Sequence, residues 1–227
     1  WRDVLRDVRV RRALSLAIDR HEVNMAVFYG LGTESADTVL PDSPLFKPEY
    51  ASAWVAHDPD QANALLDAAG LAKRDEDGIR FLPDGRRMEI TVETPGESTL
   101  DSDVLELVTD HWRKVGIALF TRVSQRDIFR SRAMGGRILM SLWYGLDNGV
   151  PTADMNPAEL APTQDDQMQW PLWGMYYLSR ETQGVAPDVP EAAKLVKLLR
   201  EWGTAASSFE RAEIWHEMLS IYTDQVF

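Results

Sequence analysis

Four histidines, at positions 21, 57, 111 and 216, are spread along the chain, and no two share a helical turn at the spacing that would put both on one metal ion. The spacing offers no zinc site. Cysteine is absent, which removes thiol catalysis, Cys-ligated zinc, iron–sulfur clusters and disulfides. No Gly-x-Ser-x-Gly turn presents a strained nucleophile, and Gly30-x-Gly32 and Gly135-Gly136 fall short of both phosphate-cradling patterns. Asp75-Glu76-Asp77-Gly78 has too few oxygen ligands in register for calcium and reads as a solvated turn. Asp165 and Asp166 form a carboxylate pair of the type used in general acid–base work, in an acidic chain where such pairs arise by composition alone. No catalytic residue, metal ligand or cofactor is assigned.

Aromatic residues outside regular helical patterns are the unusual feature. Trp143 and Tyr144 end an apolar run and are followed by Gly145, Asp147, Asn148 and Gly149. In open α/β sheets ligands collect at the carboxyl ends of strands. An aromatic plane beside a carboxylate and an amide can stack on an organic ligand while Asp147 neutralises a cationic or hydroxyl-rich group. The same residues also fit edge packing by Trp143 and a plain chain turn at 147–149. Trp170 and Trp173 join the candidate ligand-binding set, with packing of their loop onto the domain as the competing role.

The elements that would position these residues are marked by capping and periodicity. Val10, Ala13, Leu14, Ala17 and Ile18 lay one apolar stripe along a helix. Asp19 caps a second helix that runs out at Gly30 and Gly32, and residues 33–57, with three prolines, read as an extended loop. Asp58 as N-cap, Pro59 in the first turn and Gly70 as stop bound the next helix. Ile79–Leu82 and Met88–Val92 flank Pro83-Asp84-Gly85 and predict a hairpin. A helix through Leu105, Val108 and Trp112 ends at Gly116, a strand follows over 117–123, a short helix stops at Gly135-Gly136, and 138–144 reads as a buried strand. Residues 145–187 break the pattern and predict a long functional loop. Two helices close the chain, the second opening on the capping box Ser207 to Glu210.

The chain has 227 residues, 44% of them apolar, enough for a core, with 36 acidic against 24 basic side chains and a net charge of −12. A nucleic-acid footprint needs the opposite sign on one face, and the only basic cluster is Arg9, Arg11 and Arg12 on an amphipathic helix. No apolar run approaches the roughly 18 residues needed to cross a bilayer. The chain begins at Trp1 and stops at Phe227 inside what reads as a helix without a glycine stop, as expected of a segment cut from a longer protein.

Taken in order, Asp7-Val-Arg-Val-Arg-Arg-Ala-Leu-Ser-Leu-Ala-Ile-Asp-Arg20, then Val27-Phe-Tyr-Gly30, a proline-bearing loop, and Asp58-Pro-Asp-Gln-Ala-Asn-Ala-Leu-Leu-Asp-Ala-Ala-Gly70 resemble the extracellular solute-binding proteins of family 5, the dipeptide, oligopeptide and nickel-type receptors of ABC importers. Trp112-Arg-Lys-Val-Gly-Ile117 resembles the family's helix-to-strand junction, and Glu210–Tyr222 its closing helix. The resemblance implies an α/β, periplasmic-binding-protein-like (type II) lobe with a mixed sheet flanked by helices. Residues 1–227 would be a single lobe, the C-terminal one of two, with the N-terminal lobe and extreme C-terminus missing and 145–187 a ligand-side or packing loop. It further implies a non-catalytic monomer, periplasmic or at the cell surface, that captures a peptide-like, opine or sugar-like solute and delivers it to a membrane permease, with no nucleic-acid partner. In peptide-binding members an aspartate in a W-x-x-D arrangement pairs with the ligand's α-amino group. Here Trp143 and Asp147 stand as W-x-x-x-D, and Met140 occupies the place where some members carry an arginine. Two other classes fit the residues without the resemblance: a protein-interaction module, and a hydrolase working through carboxylates of the 145–187 loop.

Overall fold

The computed structural model describes all residues, 1–227. Its helices are α1 (Arg2–Arg6), α2 (Val8–Ala17), α3 (Arg20–Val27), α4 (Pro48–Ser52), α5 (Pro59–Ala68), α6 (Thr99–Lys114), α7 (Arg126–Met134), α8 (Pro171–Leu178), α9 (Pro190–Thr204) and α10 (Ser208–Gln225). Three strands, β1 (Glu89–Thr94), β2 (Ala118–Val123) and β3 (Met140–Ser141), form a sheet of order β2-β1-β3.

Local chemistry sets the helix starts. Asp7, Asp19, Asp58, Ser98 and Ser207 each accept a backbone N–H of the helix they precede, satisfying donors that the first turn leaves unpaired. Glu210 completes the last cap from the other side by accepting the Ala206 amide at 2.7 Å. The final helix does not run off the chain: Val226 takes a left-handed φ of 52°, and the Phe227 amide turns back to the Tyr222 carbonyl at 3.2 Å.

The α/β architecture is as the family pattern implies, and the sheet differs from expectation in two details. All its pairing is parallel, β1 with β2 in register from Glu89↔Ala118 to Thr94↔Val123 and β1 with β3 at Val92↔Met140. Antiparallel pairing is confined to two isolated bridges, Arg74↔Arg80 around the Gly78 turn and Phe81↔Arg87 around the Gly85 turn, so the first arm of the expected hairpin is not a strand. Its second arm continues into β1, which α6 connects to a parallel β2. The apolar run 138–144 keeps only two paired residues, because Leu139, Met140 and Leu142 are apolar for packing against the first core, not for burial inside a sheet. The 145–187 stretch contains a 3-10 turn at Ala158–Leu160 and the helix α8.

Side chains gather into two cores. The first joins Val10, Ala13, Leu66, Ile90, Trp112 and Ile117, and the second joins Leu45, Tyr50, Leu160, Leu195, Trp215 and Met218. Two arginines of α2 bridge them at the last turn of α10. Arg12 reaches both carboxylate oxygens of Asp224 at 2.7 Å and its carbonyl at 3.0 Å, while Arg11 donates to the Gln225 carbonyl at 2.8 Å. Cations belong at that end of a helix, where the carbonyls are unpaired.

Within the first core the fully buried Arg80 is a staple. Its Nε donates to the Val115 carbonyl (2.7 Å), one terminal nitrogen to Asp67 (2.5 Å) and the Leu71 carbonyl (2.6 Å), and the other to the Asn63 side-chain oxygen (2.8 Å). It thereby ties both ends of the α5 region to the turn between α6 and β2. Replacing it leaves several buried acceptors unpaired, so Arg80→Ala should lower unfolding stability by about 3–5 kcal/mol in urea denaturation. Arg80→Lys should recover only part, having no planar fork to reach all four groups. A loss under about 1 kcal/mol in the alanine variant would contradict the staple.

Candidate functional site

A crevice of about 820 Å³ lies between the two cores. Residues 138–147 form one wall, residues 164–173 the other, and Tyr222 of α10 stands at its floor. The first wall is held from behind. Glu93 of β1, 4% exposed, receives a two-point bond from Arg132 of α7 at 2.7 and 3.0 Å, which fixes α7 across the strand ends. The helix then presents the buried Phe129, whose ring stacks on Trp143 at 5.7 Å and 20°.

Trp143 is therefore half-buried, gripped by Phe129 and approached by Arg126 at 6.0 Å, with its remaining surface on the crevice. Tyr144 stands edge-on to it at 5.6 Å and is 78% exposed. Asp147 is exposed on the same wall. Asn148 lies off the lining, where its side-chain oxygen accepts the Val150 amide at 3.0 Å and its amide meets the Met155 sulfur, holding the turn. On the opposite wall Trp170 is buried against Trp173, Tyr222 and Phe227, so most of its surface serves the second core. Trp173 is half-buried and lines the crevice.

The structure adds four groups that sequence spacing does not bring together: Asp37, Glu159, Gln169 and Tyr222. The Tyr222 hydroxyl lies 3.3 Å from Asp37 Oδ2 and 3.2 Å from the Gln169 side-chain oxygen. Asp37 Oδ1 accepts the Leu146 amide at 3.2 Å. Protein encloses Asp37 on most sides although it still meets the water of the crevice, and this loss of solvation pushes its carboxyl above the usual range. Glu159 is also raised, first by burial and then by the neighbouring charge of Asp147, against the pull of the Asn148 and Asp147 amides that face it. Burial pushes Tyr222 far upward, and Asp37 adds to the shift.

Charge in the crevice is unbalanced. No arginine or lysine pairs with Asp37, Asp147 or Glu159. The four arginines on the lining are engaged by protein: Arg2 by the Gly136 carbonyl, Arg6 by Asp3 and Asp188, Arg11 by Gln225, and Arg20 by the Ser15 carbonyl and hydroxyl. The charged groups left without an ion-pair or hydrogen-bond cation are thus carboxylates, set among aromatic planes. Elsewhere, the buried His111 bonds to Glu22 at 2.7 Å and His216 lies 3.2 Å from the Tyr50 hydroxyl, and no group of three or more His, Asp or Glu is arranged to hold a metal ion.

Comparison with known proteins gives this geometry a context. The profile described as bacterial extracellular solute-binding proteins, family 5, middle region, matches residues 2–166. Heme-binding protein A of Haemophilus influenzae is 27% identical over 153 residues, 66% of this chain and 26% of its own length. The periplasmic alpha-galactoside-binding protein of Rhizobium meliloti is 24% identical over 99% of this chain and 32% of its own. Among solved structures, oligopeptide-binding protein OppA superimposes with a TM-score of 0.86 at 29% identity, covering 98% of this chain and 37% of that one. The chain spans about a quarter to a third of the length of these curated relatives.

The floor of the crevice leaves a signature in alkali. Tyr222 has its folded value raised above the ordinary tyrosine range near 10, and Tyr50 is pushed up to about 12. A raised folded value means that the unfolded chain loses its proton first, so the contribution is complete below about pH 10 and lost as pH rises beyond it. Unfolding stability should therefore fall above about pH 10, and Tyr222→Phe should flatten that fall relative to the parent. An unchanged slope in the variant would show that Tyr222 is not held neutral.

Proposed function

The chain belongs to the bacterial extracellular solute-binding proteins of family 5, and from that membership we propose that it forms one lobe, 1–227, of a two-lobed receptor that captures a small solute outside the cytoplasmic membrane and delivers it to an ABC permease. The receptor acts as a monomer in the periplasm or at the cell surface and performs no catalysis. The observation that carries the reading is the crevice at the strand ends, where Trp143, Tyr144, Trp173 and Tyr222 stand among acceptor groups with no free cation.

That lining suits a solute rich in hydrogen-bond donors. Sugar hydroxyls fit it, stacking one ring face on an aromatic plane while donating to Asp147 and Gln169. The ammonium group of a peptide presents donors too, and the unbalanced carboxylates favour it. A ligand carboxylate finds no free partner on this lobe, since the crevice arginines are already engaged. The relatives support both sources, one named for an alpha-galactoside and one for oligopeptides. Tyr144, Asp147 and Trp173 are the residues assigned to ligand contact, Trp143 acts through one ring edge, and Trp170 backs the wall. Asn148 shapes the turn that carries Asp147.

Calorimetric titration of the full-length receptor with raffinose, an alpha-galactoside, and with trialanine separates the two sources. Tyr144→Ala and Asp147→Ala should each weaken the binding that is found by about tenfold, or about 1.4 kcal/mol. Asn148→Ala should change it by less than about threefold. Unchanged affinity in both of the first two variants would remove this wall from the site, and binding of neither probe would overturn the donor-rich solute.

A further inference from the structure

The turn that bears the candidate contacts is held by groups far away in sequence. Segment 37–43 runs beside 145–151 and is zipped to it: the Leu146 amide donates to Asp37, the Leu40 amide to the Gly149 carbonyl at 2.6 Å, and the Ser43 hydroxyl to the Pro151 carbonyl at 2.7 Å. Contact is close at both glycines. A Cβ on Gly145 would stand 2.5 Å from Asp37 Oδ1, and one on Gly149 would stand 2.7 Å from the Leu40 side chain, so any larger residue would displace those side chains. On the opposite side Glu159, in the 3-10 turn, is a carboxylate neighbour of Asp147.

We propose that Asp37 is a positioning residue of the solute site: from a separate loop its carboxylate grips the backbone at Leu146, in line with the contacts to Gly149 and Pro151, and thereby holds Tyr144 and Asp147 against the crevice. The inference rests on the solute-binding reading for its consequence in affinity, and on geometry alone for the grip. An ionised carboxylate is a stronger acceptor for an amide than a neutral carboxyl, so the grip loosens on protonation. The titratable groups facing Asp37 are Tyr222 from α10 and Glu159 from the 3-10 turn, and those facing Glu159 are Asp147 from the gripped turn and Asp37. None is a cation. Desolvation therefore raises the Asp37 carboxyl above its usual range, and desolvation with the neighbouring charges of Asp147 and Asp37 raises that of Glu159.

Affinity and stability consequently respond to pH with opposite signs. A carboxyl whose folded value is raised contributes stability below its unfolded value and loses that contribution as pH rises through the folded value, so acidification favours the fold at these two sites. The same acidification weakens the grip and with it the affinity. A merely structural ion would move both in the same direction.

Two measurements on the full-length receptor test this. The first is residue-level amide exchange without ligand: Asp37→Ala should speed exchange at 146–148 by about fivefold or more, with α9 and α10 unchanged as reporters of the fold. Asp37→Asn keeps an acceptor oxygen and should restore most of the protection. The second measurement is affinity for raffinose and trialanine: whichever binds the parent should bind Asp37→Ala about tenfold more weakly. Parent affinity should fall as pH is lowered toward the ordinary carboxylate range of about 4, and the fall should flatten in Asp37→Asn. Unchanged exchange at 146–148 in Asp37→Ala overturns the grip. Faster exchange with unchanged affinity overturns its role in binding. If neither probe binds the parent, the solute reading fails, while the exchange measurement still decides the grip.

Discussion

Two cores held apart across a crevice are the constraint on which the rest of the molecule depends, and the contact that sets their spacing is Arg11 and Arg12 on the last turn of α10. Guanidinium groups suit the place because a helix terminus offers unpaired carbonyls and a partial negative charge, and Asp224 adds a full one. Each arginine also lies over an aromatic ring, Arg12 over Trp54 at 4.3 Å and Arg11 over Phe227 at 4.9 Å. Trp54 takes a positive φ of 57° to lie there and donates its indole N–H to Asp224. A non-glycine residue in that region carries strain, so its neighbours must hold it. The chain's one basic cluster thus turns Arg11 and Arg12 inward to fasten one core to the other.

The crevice that results is costly in a way that a purely structural surface would avoid. Asp37, Asp147 and Glu159 share it without pairing to any of its arginines, and two of them have their acidity weakened by burial. A chain selected only for stability would replace such groups or give them a cation. Local cost that persists beside exposed aromatic planes is the pattern expected of a binding surface. Tyr222 shows how the cost is contained, because it stays neutral and donates into the cluster from a buried helix face.

Much of the fold was legible because it is written locally. Asp58-Pro59 and Ser207 with Glu210 mark helix starts through side chains within three residues of the donors they cap, and α2 and α6 carry regular apolar stripes. The helix α8 was hidden for the opposite reason. Pro-Leu-Trp-Gly-Met-Tyr-Tyr-Leu is apolar on every side and leaves no stripe to detect, while Gly174 is required by a carbonyl of Gln164 that would lie 1.7 Å from any Cβ. The run 138–144 misled through composition, since apolar content records burial and not strand pairing. Of the site, the residues beside one another in sequence could be named, from Trp143 to Asp147. Asp37 and Tyr222 could not, because they lie 185 residues apart and meet only when the second core is built. Spacing also pointed to Trp143 as the aromatic partner of Asp147. Tyr144 stands three residues before Asp147 and is the exposed plane of the two, whereas Trp143 spends one face on Phe129.

Exposure along the first wall runs from the hidden Phe129, through the half-covered Trp143, to Tyr144, and this gradient bears on how a second lobe would act. A rigid stack of rings gives Tyr144 an orientation without burying it, so it is held ready for a surface that arrives later. Burial of a tyrosine removes on the order of 150 Å² from water, worth roughly 3–4 kcal/mol at about 25 cal/mol per Å². In a two-lobed receptor that free energy is released only when solute and opposite lobe cover the ring together. Closure without solute would also bury carboxylates that have no cation, which opposes it. Apolar exposure and unbalanced charge in one crevice therefore act together: the first rewards closing, and the second withholds that reward until a donor-rich solute is inside.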